Sequence, residues 1–132
     1  MKRKISLILC AAALACVWLV PAGATSPKAP QEPITIEVPE GNTPTKPPVV
    51  FPHLRHEALD CTACHHKWDK TADIVKCKNS GCHDQFPDKK SDRSHYRAYH
   101  AQGKQSCLGC HKEMKKEKAA TGPVVCKECH KE

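Results

Sequence analysis

The chain has 132 residues and a formal charge of +7, from 21 Lys and Arg against 14 Asp and Glu, with 10 Cys and 9 His. Beyond residue 24 only 14 residues are Ile, Leu, Val or Phe, about 13% of the remainder, too little apolar area to offset the chain entropy of folding. A domain held together by ordinary side-chain packing is therefore excluded, and something other than protein must supply the core.

Residues 1–24 read as a secretory signal peptide. Lys2, Arg3 and Lys4 form the basic start, Ile5 to Val20 the apolar run, and Ala22-Gly23-Ala24 the small-residue cleavage site. The run is about 16 residues, short of the roughly 20 a membrane span needs, so cleavage is preferred to an uncleaved anchor. A lipoprotein end at Cys16 is disfavoured because the apolar run continues to Val20. Cleavage removes Cys10 and Cys16, leaving eight cysteines in a single periplasmic domain, residues 25–132.

The mature chain opens with an aperiodic Pro- and Lys-containing tail, Thr25 to Gln31. Ile34-Thr35-Ile36-Glu37-Val38 then alternates as a strand does, and Val49-Val50-Phe51 can return beside it as a short β-ribbon. Pro52 suits a first helical position, which would put His53 and His56 on one face at i and i+3. Ser94 to Gln102 is the best helix, with Ser94 as N-cap and Gly103 as stop. Beyond it, short helical turns are expected to carry the remaining motifs. The expected fold class is small and mostly irregular or α, with the chain wrapped around its cofactors and the apo-protein unfolded.

Four cysteine pairs are each followed directly by histidine: Cys61/Cys64-His65, Cys77/Cys82-His83, Cys107/Cys110-His111 and Cys126/Cys129-His130. This is the attachment signature of c-type haem, in which two thiols form thioethers to the porphyrin and the next imidazole reaches the iron. Three motifs have a two-residue spacer. The second has four (Lys78, Asn79, Ser80, Gly81) and needs a looser loop. Zinc sites and disulfide frameworks also use C-x-x-C pairs, but neither requires histidine after every pair. Chance placement of histidine at all four positions is on the order of one in tens of thousands. All eight cysteines are used, which implies four covalent haems.

His53, His56, His66, His95 and His100 remain as candidates for the opposite axial positions, one more than four six-coordinate irons require. Met114 is the single methionine rival in the mature chain. Bis-histidine ligation lacks the thioether that raises cytochrome potentials, so low potentials are expected, and closed coordination points to electron carriage rather than catalysis. His65 and His66 are consecutive and cannot easily serve one iron. His53 and His56 are likewise expected to serve two haems.

At this point the sequence resembles the class III cytochromes c, the tetrahaem cytochrome c3 family of sulfate-reducing bacteria. The resemblance runs from about Val49 to Lys131. It rests on Phe51-Pro52-His53 through His56, Cys64-His65-His66, the wide second motif and His100-Ala101-x-Gly103 before the third. It implies His53 with His65 on the first haem, His66 with His83 on the second, His56 with His111 on the third and His100 with His130 on the fourth. His95 is then the spare, placed on the surface. The two-residue spacer from Cys126 to Cys129 departs from the best-known members, which have four, and resembles a less common subtype that docks with membrane redox complexes.

Removing the leader leaves 18 basic and 14 acidic residues. Eight ionised propionates and four ferric porphyrin cores would bring the oxidised holoprotein near neutrality, so nucleic acid is not a partner. Lys104, Lys112, Lys115, Lys116, Lys118, Lys127 and Lys131 crowd the last two motifs among Glu113, Glu117, Glu128 and Glu132, either as plain solvated surface or as a docking rim for an acidic partner. The expected function is a monomeric periplasmic electron carrier. It would link hydrogenase or formate dehydrogenase to a membrane redox complex or other multihaem cytochromes in anaerobic sulfate respiration. A small metal or oxyanion reductase with one open iron is the alternative.

Overall fold

The structure is a computed structural model that describes residues 27–71 and 73–132. The expected leader, with Cys10 and Cys16, lies outside the described residues. Strands β1 (Ile34–Ile36) and β2 (Val49–Phe51) pair antiparallel, with Ile34 opposite Phe51, Thr35 opposite Val50 and Ile36 opposite Val49. The ribbon was expected, though β1 stops two residues before Val38. Gly41, at φ +79°, helps turn the intervening loop, a conformation glycine adopts without steric cost.

Pro52 is extended and caps a 3₁₀ turn, His53–His56, instead of occupying its first position. The expected consequence survives, because i and i+3 eclipse in a 3₁₀ turn. A second 3₁₀ turn, Cys61–Ala63, is capped by Asp60, which accepts from the Thr62 amide at 2.8 Å and from its hydroxyl at 2.5 Å.

Helix α1 (His95–His100) begins where expected, with Ser94 Oγ accepting from the Arg97 amide at 3.2 Å. It ends before Gln102, because Ala101 is extended and Gly103 sits at φ +90°. Among the described residues the longest helix is instead α2 (Cys107–Lys116), which carries the third motif whole. Ser106 caps it by accepting from the Gly109 amide at 3.0 Å, and Leu, Lys, Glu and Met sustain it. Gly109 lets α2 lie against the α1–α2 connection, since a Cβ there would stand 2.2 Å from the Gly103 carbonyl oxygen. A single turn, α3 (Cys126–Cys129), carries the fourth motif.

Among the described residues, Trp68 is the only large hydrophobic side chain that is buried, while Val50 is 62% and Val125 53% exposed. The fully or nearly buried polar groups are Ser94, His95 and Ser106, all tied into the α1–α2 region. Caps and turns, rather than packed apolar side chains, thus organise the described residues.

Local hydrogen bonds hold two carboxylates in their charged form. Asp60 is drawn down to about 2, chiefly by the Thr62 hydroxyl and then its amide, with Lys70 at 3.4 Å adding less. Asp88 is drawn down to about 2 by the Ser91 hydroxyl and then the Lys90 and Ser91 amides. In the unfolded chain both titrate near 3.8. Because the folded values are the lower ones, this stabilisation is complete above the unfolded value and disappears as pH falls toward 2. NMR titration of the holoprotein should place both carboxyl midpoints near 2. Midpoints at ordinary aspartate values would contradict the two caps.

Candidate haem sites

One hydrogen bond closes every attachment motif. The amide of the motif histidine donates to the carbonyl of the first cysteine, at 2.9 Å for His65 to Cys61 and 2.8 Å for His130 to Cys126. In α2 the same closure is the helix's own ladder. The wide second motif reaches the same end by a longer path. Asn79 donates to Lys76 and Cys82 to Asn79, Gly81 takes φ +83°, and the His83 amide still reaches the Cys77 carbonyl at 2.9 Å. Two extra residues are absorbed in an added turn, so the first cysteine and the histidine keep their relation.

None of the eight motif cysteines is paired in a disulfide, and all are exposed or half-buried. Among the described residues no three ligating side chains converge as a zinc site would require. The histidines instead come together in twos. His56 and His111 face each other with ring centres 6.2 Å apart and planes 19° apart. His100 and His130 stand at 6.1 Å and 5°, and His66 and His83 at 6.1 Å and 46°. Two imidazole nitrogens each about 2 Å from one metal, with ring centres roughly 1 Å further back, give a separation of about 6 Å. The pairs therefore fit an iron held between them. His53 and His65 are also electrostatic neighbours: burial chiefly, and then His65, pushes the His53 imidazole down. His66 is lowered the same way, by burial first and His83 next. Both shifts favour the neutral ring that ligates metal.

Backbone carbonyls orient four of these rings. Nδ1 donates from His56 to Pro52 at 3.1 Å, from His100 to Tyr96 at 2.9 Å, from His111 to Pro123 at 2.8 Å and from His130 to Pro47 at 2.7 Å. A carbonyl can only accept, so each Nδ1 carries the proton and each Nε2 keeps a lone pair that could hold a metal. His53 and His83 have buried Nδ1 atoms with no protein partner. Phe51 packs both rings of the 3₁₀ turn, 4.7 Å from His53 and 4.7 Å from His56, and Tyr96 stacks on His100 at 4.2 Å. Met114 lies one turn beyond Cys110 on α2, its sulfur 3.9 Å from the Cys110 Sγ.

His95 corrects an expectation. It is 7% exposed rather than on the surface. Its Nε2 donates to the Glu37 carbonyl at 3.2 Å, and its ring packs against Tyr99 at 5.1 Å and Phe86 at 6.2 Å. It is spare as a ligand candidate, yet it ties the exit of β1 to the start of α1. The carbonyls of Pro47, Pro52 and Pro123 were not foreseen at all, since a backbone acceptor leaves no side-chain signature in sequence.

Residues 30–130 match the model of the class III cytochrome C family. The chain is 48% identical over 99 residues to cytochrome c3 of Maridesulfovibrio salexigens, covering 74% of this chain and 91% of that one. It is 47% identical over 98 residues to cytochrome c3 of Desulfovibrio desulfuricans, covering 74% and 91%. In three dimensions it is similar to the di-tetraheme cytochrome c3 of Desulfovibrio gigas, with a TM-score of 0.71 and 36% identity over 78% of this chain and 97% of that one.

Proposed function

The chain belongs to the class III cytochrome c family and carries four covalently bound c-type haems, and on that basis we propose that it is an exported, low-potential carrier. In this reading it accepts electrons from a periplasmic hydrogenase or formate dehydrogenase. It delivers them to a membrane redox complex or another multihaem cytochrome. The observation that carries the reading is the set of facing imidazole pairs, each joining a motif histidine to a non-motif one at 6.1–6.2 Å.

Bound haem supplies a one-electron iron couple; the rest falls to the chain. Cys61, Cys64, Cys77, Cys82, Cys107, Cys110, Cys126 and Cys129 attach it. His65, His83, His111 and His130 ligate on one side, and His53, His66, His56 and His100 on the other, in that order. Two imidazoles per iron, with no thioether, keep the potentials low and leave no coordination site for a substrate. Export through the leader at 1–24 puts the chain in the periplasm.

Charge supports a docking role for the end of the chain. Lys112, Lys115 and Lys116 are exposed on α2, and among the described residues none has a carboxylate within ion-pair distance. Lys104 is paired with Glu117 at 3.5 Å. Of the basic set near the first two motifs, Lys70 is paired with Asp60 at 3.4 Å.

The test is reduction of the holoprotein by hydrogenase under hydrogen, followed by stopped flow. Each chain should take up four electrons, at a rate that falls as salt rises and the screening length shortens to about 8 Å. Neutralising Lys112, Lys115 and Lys116 together should slow association more than neutralising Lys67, Lys70 and Lys76. Equal losses would mean that net charge guides the encounter. Uptake of fewer than three electrons would reject the carrier itself.

A further inference from the structure

The chain leaves α2 through Lys118, at φ +56°, while the Ala119 amide bonds back to the Met114 carbonyl at 3.0 Å. This αL cap reverses the chain, so residues 121–123 run back alongside His111. Thr121 Oγ1 donates to the His111 carbonyl at 3.1 Å, and His111 Nδ1 donates to the Pro123 carbonyl at 2.8 Å. Between these two anchors sits Gly122. A Cβ there would stand 2.4 Å from His111 Cε1, 2.8 Å from Nε2 and 3.0 Å from Nδ1. The positive-φ glycines are Gly41, Gly81 and Gly103, so Gly122 is not glycine for backbone freedom. It is glycine for space, and the space is filled by an imidazole.

We infer that Gly122 is a positioning residue. The Thr121–Pro123 strap seats the His111 ring against a surface with no side chain, fixing its angle to His56 and so tuning the third haem alone. The inference rests on the reading that His56 and His111 share one iron. Their planes lie 19° apart at 6.2 Å, an angle that His111 cannot change while both strap contacts hold. A methyl at 122 would force the ring to turn or retreat. Either movement lengthens the bond from Nδ1 to Pro123, which makes the imidazole a weaker electron donor and favours the reduced iron.

The experiment compares oxidised holoproteins by low-temperature EPR and by potentiometric titration. His56→Met should remove one of the four bis-histidine signals, which assigns the third haem. Gly122→Ala should keep four haems, shift that same signal and raise one midpoint potential, leaving the other three in place. Thr121→Val, a gentler change, should shift the same signal by less. If Gly122→Ala fails to load the third haem, Thr121→Val carries the test by itself. Should His56→Met leave four bis-histidine signals, the shared-iron reading falls and the inference with it. Should His56→Met remove one signal while neither strap variant moves it, the inference alone is overturned.

Discussion

Replacing the eight motif cysteines with serine will leave the chain without a tertiary fold. Trp68 is the one large apolar side chain buried among the described residues, and a lone burial of that size is worth about 6 kcal/mol at most. Ordering some hundred residues costs far more, roughly 1–2 kcal/mol for each backbone unit. Local structure cannot make up the difference. The longest helix among the described residues has 10 residues, below the roughly 12–15 at which an isolated helix becomes marginally stable in water. The sheet is two strands of three residues each, and a lone hairpin is no better placed. The expected far-UV circular dichroism is that of a coil, with poorly dispersed amide protons and no cooperative melt. A haem-free chain with native-like dispersion and a sharp melting transition would show that the protein supplies its own core after all.

The same shortage explains which parts of the molecule could be read from sequence. Cysteine and histidine spacing is a covalent requirement of haem attachment, so the four motifs are legible without any structure. The β-ribbon and the Ser94 cap follow from local rules and appear where those rules put them. Helix lengths are harder. The Ser94 start gave a helix that was expected to reach Gln102, but Ala101 turns extended so that Ser106 Oγ can bond its carbonyl at 2.6 Å and cap α2. A tertiary requirement of the next helix thus shortens α1, and no pattern within residues 94–102 encodes it. His95 was misjudged for a related reason. Its partner is the Glu37 carbonyl, 58 residues away, and a lone histidine carries no sign of a backbone acceptor so distant. Gly122 offered only a Gly-Pro step, which reads as a turn. That it cradles an imidazole depends on the reversal after α2.

The pair His95 and His100 gives the sharpest separation between ligand and scaffold, because both lie on the one short helix α1. His100 faces His130 with planes 5° apart at 6.1 Å, and its Nδ1 is tied to the Tyr96 carbonyl at 2.9 Å, leaving Nε2 for metal. His95 has its Nε2 committed to Glu37. In the oxidised protein, His100→Ala should move about a quarter of the ferric EPR intensity from low to high spin, since one iron in four loses its second imidazole. After reduction that variant should bind one carbon monoxide per chain, where the parent binds none. His95→Ala should keep the low-spin spectrum and bind no carbon monoxide. Its cost should fall on stability, about 1–3 kcal/mol, because the change strands the Glu37 carbonyl and empties the space between Phe86 and Tyr99. Thermal melts followed at the haem band would show the loss, while His100→Ala would show an altered spectrum before any heating. The reverse pattern, with His95→Ala opening an iron and His100→Ala leaving all four closed, would make His95 the fourth distal ligand.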